Sequence, residues 1–307
     1  MTNEQRLQNL TSPPGRIDVV LDTDAYNEID DQFAIAYLLR NQARLNIKGF
    51  CAAPFFNENS TSPADGMERS YQELFNLLDL AEETQLKDRV YRGSLTYLAD
   101  EQTPVESDSA RFMADLSDQY SPEHPLYIVA IGAITNVASA LLMNARMKEN
   151  TVIVWLGGHA HHAPDTHEFN MMQDVAAARV VFGCGVPLVQ LPCWGVVDHF
   201  AASRQELEYW LNGKNPLCDY LVEHTVSAAE SYAAGRPWTR VIWDVTAVAW
   251  LLNDSGRFMA DTLVCSPIPE YDHHYATDLR RHPINYVYDI HRDALFTDLF
   301  RKLGGTT

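Results

Sequence analysis

Between residues 16 and 39 the chain reads RIDVVLDTDAYNEIDDQFAIAYLL, and this stretch leaves little freedom of fold. A short apolar run, residues 17–21, stops abruptly at Asp22, Thr23 and Asp24. A polar turn follows, then Asp30 and Asp31, then an apolar stretch over 33–39 rich in the helix formers Ala and Leu. The pattern predicts a buried strand, a loop, and a helix starting near Asn27. Carboxylates then crowd the carboxyl end of one strand and the first turn of the next helix. Their mutual repulsion is costly unless something positive sits among them. A hard divalent cation held through oxygen ligands is the simplest candidate.

The same rhythm continues downstream. Apolar runs at 47–53, 126–131, 151–156 and 186–191 read as strands, with a short one at 89–91. Helical spacing covers 67–80, through Tyr71, Leu74, Phe75 and Leu78, then 109–116, the segment GAITNVASALL, and 174–182. Such alternation predicts an α/β fold, an open and mostly parallel sheet with helices on both faces. Ligands of these sheets bind at the carboxyl ends of the strands. Four of those ends carry polar loops here: DTDAYNEIDD, PFFNENS, GAITN and GGHAHHAPDTHEFN. Beyond Trp194 the pattern is mostly helical, over 205–211 and 217–232, and reaches VIWDVTAVAWLL at 241–252. The tail is expected to add edge strands and a last helix over 294–303. Without a repeat or linker, residues 16–307 are expected to form one domain. Residues 1–15 read as a flexible lead-in closed by Pro13, Pro14 and Gly15.

Composition narrows the partners. A formal net charge of −18 over 307 residues argues against nucleic acid and anionic membrane, both of which need basic patches. No apolar run approaches the roughly 20 residues of a membrane span, and the N-terminus lacks the apolar core of a signal peptide. The five cysteines are scattered without a C-x-x-C pair, which fits reduced thiols in a cytoplasmic protein.

Asn27 and Asp30 can be read as a capping-box pair, which accounts for one or two carboxylates. It leaves Asp22 and Asp24 unexplained. Adjacent helix positions point about 100° apart, so Asp30 and Asp31 are expected to serve different atoms, one a metal and the other a substrate hydroxyl. Asp244 lies among Val241, Ile242, Trp243, Val245, Ala247 and Val248. It is either the N-cap of a helix over 245–252 or a fourth ligand, since an isolated buried carboxylate is expensive. Glu168 and Asn170 pair an acceptor with a group that both donates and accepts, a set suited to a vicinal diol. His159, His161, His162 and His167 match no common zinc spacing. Asp272, His273 and His274 read as surface loop.

Several blocks resemble the inosine-uridine nucleoside hydrolase family: D-T-D followed shortly by D-D, G-A-I-T-N-V-A at 132–138, W-L-G-G at 155–158, E-F-N at 168–170 with Asp174 after it, and W-D-V-T-A-V-A at 243–249. They stand in the family's order and span most of the chain. The resemblance implies a calcium ion deep in a pocket, with Asp24, Asp31, the main-chain carbonyl of Thr135 and Asp244 as ligands. Asp24 would also act as general base toward a bound water. Asp30, Glu168 and Asn170 would hold the ribose, and Asn57 is a looser match for the same task. It further implies a nucleoside substrate and a homo-oligomer, dimer or tetramer.

Two departures stand out. The family's D-T-D and D-D are joined by three residues with a Pro-Gly turn, whereas AYNEI supplies five. Broad-specificity and pyrimidine-accepting members have a histidine before the last metal aspartate, where this chain has Trp243. The purine-specific branch also carries tryptophan there and stacks it on the base, so a purine preference is expected. Residues 232–240, with a glycine and aromatics ahead of Asp244, suggest a lid. Two rivals remain: a haloacid-dehalogenase-type phosphatase using Asp22, and a non-catalytic riboside binder.

Overall fold

The computed structural model describes residues 1–305. Twelve strands are formed among them: β1 (Ile17–Thr23), β2 (Leu45–Ala52), β3 (Val90–Tyr91), β4 (Leu126–Ala130), β5 (Thr151–Leu156), β6 (Leu188–Leu191), β7 (Ala201–Ser203), β8 (Thr239–Val241), β9 (Met259–Cys265), β10 (Ile268–Pro269), β11 (Tyr275–Ala276) and β12 (Pro283–Ile290). The helices are α1 (Asn3–Asn9), α2 (Asp30–Leu39), α3 (Pro63–Leu80), α4 (Asp108–Ser117), α5 (Thr135–Met143), α6 (Met147–Asn150), α7 (Phe169–Gln173), α8 (Val175–Gly183), α9 (Arg204–Leu211), α10 (Pro216–Ala233), α11 (Val245–Trp250) and α12 (Arg292–Gly304).

Eight strands make one sheet in the order β3-β2-β1-β4-β5-β6-β12-β9. Seven run parallel, and β9 closes the edge antiparallel to β12. Successive side chains of β1 point to opposite faces. Val19 and Leu21 join the core under α2, α3 and α9–α12, while Val20 joins the core under α4, α5 and α8. The chain order reverses direction across the sheet between β1 and β4, and such a switch point opens a crevice at the strands' carboxyl ends. The loops after β1 and β4 are the ones carrying DTDAYNEIDD and GAITN.

Local chemistry sets the helix limits. Ser62 and Asn215 cap α3 and α10, and each helix has proline in its first turn, where the missing N–H costs nothing. Ser203 and Glu206 form a capping box on α9.

Two expectations are corrected. The helix expected near Asn27 begins at Asp30, without a side-chain cap. Asn27 is instead held in a turn, its N–H on the Asp24 carbonyl at 2.7 Å and its side-chain oxygen accepting from Asn57 Nδ2. The lead-in expected to be flexible contains α1, started by a capping box between Thr2 and Gln5. Leu10 behind it is fully buried, and its carbonyl accepts from Asn285 Nδ2 at 2.7 Å. Among the described residues no helix is long and apolar enough to cross a membrane.

Candidate active site

β1 delivers its acids to different places. Asp22 is fully buried and accepts from Asn136 Nδ2 at 2.8 Å; burial pushes its carboxyl up to about 7. The same Asn136 amide donates to the Ala52 carbonyl at 3.0 Å, and its oxygen accepts from the Ser94 N–H and hydroxyl at 2.8 Å. Asp22 is therefore part of the fastening between β1, β2 and α5.

Asp24, Asp30, Asp31 and Asp244 instead line one cavity of about 310 Å³. Carboxylate oxygens of Asp30, Asp31 and Asp244 lie within 4.8 Å of one another. Thr23 Oγ1 donates to Asp31 Oδ1. Asp24 Oδ2 and Asp30 Oδ1 are buried without a hydrogen-bond partner. Burial, then repulsion from the other acids, holds the Asp24, Asp31 and Asp244 carboxyls well above the usual range. Gly132 makes room for Asp24, since a Cβ there would stand 3.1 Å from the Asp24 carboxyl carbon and from Ala53 Cβ.

Asp30 and Asp31, adjacent on α2, both turn an oxygen toward Asp244. Asp244, at the start of α11, packs against the first turn of α2 and meets both. Nor is the cluster wholly without countercharge. Arg240 on β8 pairs with Glu28 and places a guanidinium nitrogen 3.7 Å from Asp30 Oδ1. The Asp30 carboxyl is raised by burial and drawn back by this neighbour. The sequence offered only the basic GRPWTR loop ahead of Asp244 as a sign of it.

Asn57, Glu168, Asn170 and Trp243 line the same cavity. Glu168 caps α7, accepting from the N–H groups of Asn170 and Met171 at 2.8 and 2.9 Å, and it also accepts from Gly158 at 2.8 Å. Asn170 donates to the carbonyls of Ile131 and Leu156 at 3.3 and 3.0 Å. Its amide oxygen is left for the cavity. Asn57 is braced by Asn27 and by the Asn59 N–H, 2.8 Å from its side-chain oxygen.

Trp243 is half-buried, lining the cavity while packing on the core. Thr135 does not line the cavity. It opens α5, and its hydroxyl donates to Asp174 Oδ2 at 2.7 Å. In the segment expected as a lid, Trp238 donates to Glu230 Oε1 at 3.2 Å and is absent from the cavity wall, while Arg240 reaches Asp30. Sequence reasoning missed Cys193 and Trp194 in the wall and gave His159 no role there. His273, read as exposed loop, packs its ring 4.1 Å from that of His167.

A sequence model described as inosine-uridine preferring nucleoside hydrolase matches residues 19–286. The chain belongs to that family. It is a nucleoside hydrolase, an enzyme acting on N-glycosyl bonds of ribonucleosides. Solved structures of the same fold include a plant nucleoside hydrolase, PpNRh1, 18% identical with a TM-score of 0.74, over 95% of this chain and 99% of that one. A purine-preferring ribonucleoside hydrolase from Gardnerella vaginalis is 18% identical, with a TM-score of 0.73 over 94% and 98% of the two chains. The type III effector protein XopQ, solved with adenosine diphosphate ribose, is 19% identical, with a TM-score of 0.71 over 98% and 96%. No curated protein matches the sequence.

Proposed function

We propose that this nucleoside hydrolase is calcium-dependent and prefers purine ribonucleosides, which it splits into free base and ribose. One observation carries the reading: four buried carboxylates from β1, α2 and α11 share a cavity with Asn57, Glu168, Asn170 and an aromatic wall. The donor set fits a hard cation, being all oxygen, with two buried carboxylate oxygens unpartnered.

Asp24, Asp31 and Asp244 would hold the ion; the main-chain carbonyl of Thr135 is added by the family resemblance alone, since Thr135 does not line the cavity. Asp30 has Arg240 beside it and so has the least need of a metal. We assign Asp30 to the ribose with Asn57, Glu168 and Asn170. A bound calcium would supply a water of lowered pKa and a grip on the sugar diol. Asp24, with its unpartnered oxygen, takes the proton of the attacking water. The surrounding acids stabilise the positive charge that grows on the sugar as the base departs. Trp243 stacks on the base, which supports the purine preference. The free thiols are in keeping with the cytoplasm, and assembly as a homo-oligomer rests on the family resemblance alone.

A panel of nucleosides assayed for released reducing sugar, with and without a calcium chelator, tests the reading. Inosine and guanosine should be cleaved faster than uridine, and the chelator should abolish release. Equal or faster uridine turnover removes the purine preference; full activity in the chelator removes the metal. A non-catalytic riboside binder is the second reading, favoured by Trp243 standing where an acidic histidine could have stood. Tight inosine binding without base release would select it. The phosphatase rival fails because Asp22, its nucleophile, is sealed behind Asn136 and does not line the cavity.

A further inference from the structure

With tryptophan at position 243, the departing base needs another partner for the charge it acquires. Beyond β5 and β6 the chain continues their pairing for one more step, with Cys193 N–H on the Gly158 carbonyl and Ala160 N–H on the Trp194 carbonyl, at 2.8 and 2.9 Å. This step sets the rings of His159 and Trp194 face to face, 4.9 Å apart and 11° from parallel.

A glycine with positive φ stands at each end of the arrangement. At Gly158, φ +75°, a Cβ would lie 2.1 Å from the Tyr275 hydroxyl. At Gly195, φ +86°, it would lie 2.8 Å from Ala160 Cβ. Both turns are thus restricted to glycine. The pairing leads to a definite protonation state. The main-chain N–H of Trp194 donates to His159 Nδ1 at 3.3 Å, so Nδ1 carries no proton and the neutral ring carries its hydrogen on Nε2. That Nε2 has no partner among the described residues, yet it is not sealed, and His159 lines the cavity.

Resting on the nucleoside hydrolase reading above, we propose that His159 is held as a neutral imidazole whose Nε2–H donates a hydrogen bond to an acceptor on the departing base, N7 in a purine. As the glycosidic bond breaks, its electron pair moves onto the base, where this N–H stabilises it. The water oxygen bonds C1′ and its proton goes to Asp24. The base takes a proton from solvent and Asp24 returns one, so His159 ends as it began. Burial holds the ring below the usual histidine range; Asp165 and Asp198 oppose this, and His167 reinforces it. An imidazolium would set an Nδ1–H against the Trp194 N–H. His159 therefore acts as a hydrogen-bond donor and not as a general acid.

The test compares inosine with p-nitrophenyl riboside, whose phenolate leaves without help. His159→Ala should lose about a hundredfold in kcat on inosine, keep its rate on p-nitrophenyl riboside, and recover part of the loss as His159→Gln. Equal losses on both substrates, or no loss on either, would overturn the assignment. A wild-type protein that cleaves neither removes the hydrolase reading and this one with it. Independently of turnover, ¹⁵N NMR between pH 6 and 8 should show an unprotonated Nδ1 and a protonated Nε2. A proton on Nδ1 would count against the proposal.

Discussion

Asp24, proposed above as the general base, would serve catalysis at the expense of the fold. Its Oδ2 has no partner, and three further acids, Asp31, Asp30 and Glu28, repel its charge. Removing its charge should therefore act in opposite directions on activity and on metal-free stability. Asp24→Asn is expected to lower kcat by about a thousandfold, within the range of a lost general base. The same variant should melt higher than wild type in a chelator, because one of the repelling charges is gone. Steady-state assays and thermal melts of the same preparation check both. Arg240 works the other way, as a fixed cation beside Asp30 and Glu28, while Asp24, Asp31 and Asp244 have no such partner.

At the scale of elements, the strands and helices that bury one face were readable from their apolar spacing. β5 falls on its expected residues, and the others shift at their ends. Asp30 and Asp31 show where such reading stops. Spacing along one helix says which way side chains point, but not what the next helix brings to meet them. The starting position of α11 against α2 decided that, and it depends on contacts more than 200 residues apart in sequence. His159 and Trp194 were missed for a similar reason, since their stacking follows from an inter-strand pairing that neither loop announces.

The lead-in reads as flexible in the sequence because it is polar and ends in Pro13, Pro14 and Gly15, yet it contains α1. Its one decisive residue, Leu10, is buried by partners from the far end of the chain. Deleting residues 1–10 should cost about 2–3 kcal/mol, the burial of one leucine plus an abandoned Asn285 amide. Urea titration of the truncated chain measures it, and an unchanged midpoint would mean that α1 contributes nothing.

For the molecule as a whole, the acid cluster ties stability to pH and to metal. The carboxyls of Asp22, Asp24, Asp30, Asp31 and Asp244 all lie above their unfolded value of 3.8, Asp22 at about 7. The folded state then binds more protons than the unfolded one, so stability falls as pH rises. Without calcium the melting temperature should drop between pH 5 and pH 8. Calcium at about a hundred times its Kd adds about 2.7 kcal/mol, and at one fixed calcium concentration the gain should be larger at pH 8, where the acids must otherwise ionise unaided. Melts in calcium and in chelator at both pH values check this. A metal-free melting temperature that rises with pH would contradict it.

Glu28 and Glu58 also line the cavity, on a protein already carrying a net charge of −18. A phosphorylated sugar would bring two further negative charges against these walls, where few counterions can follow. The uncharged nucleoside meets no such barrier. Inosine monophosphate is therefore expected to be cleaved more slowly than inosine, and a side-by-side assay of the two checks it.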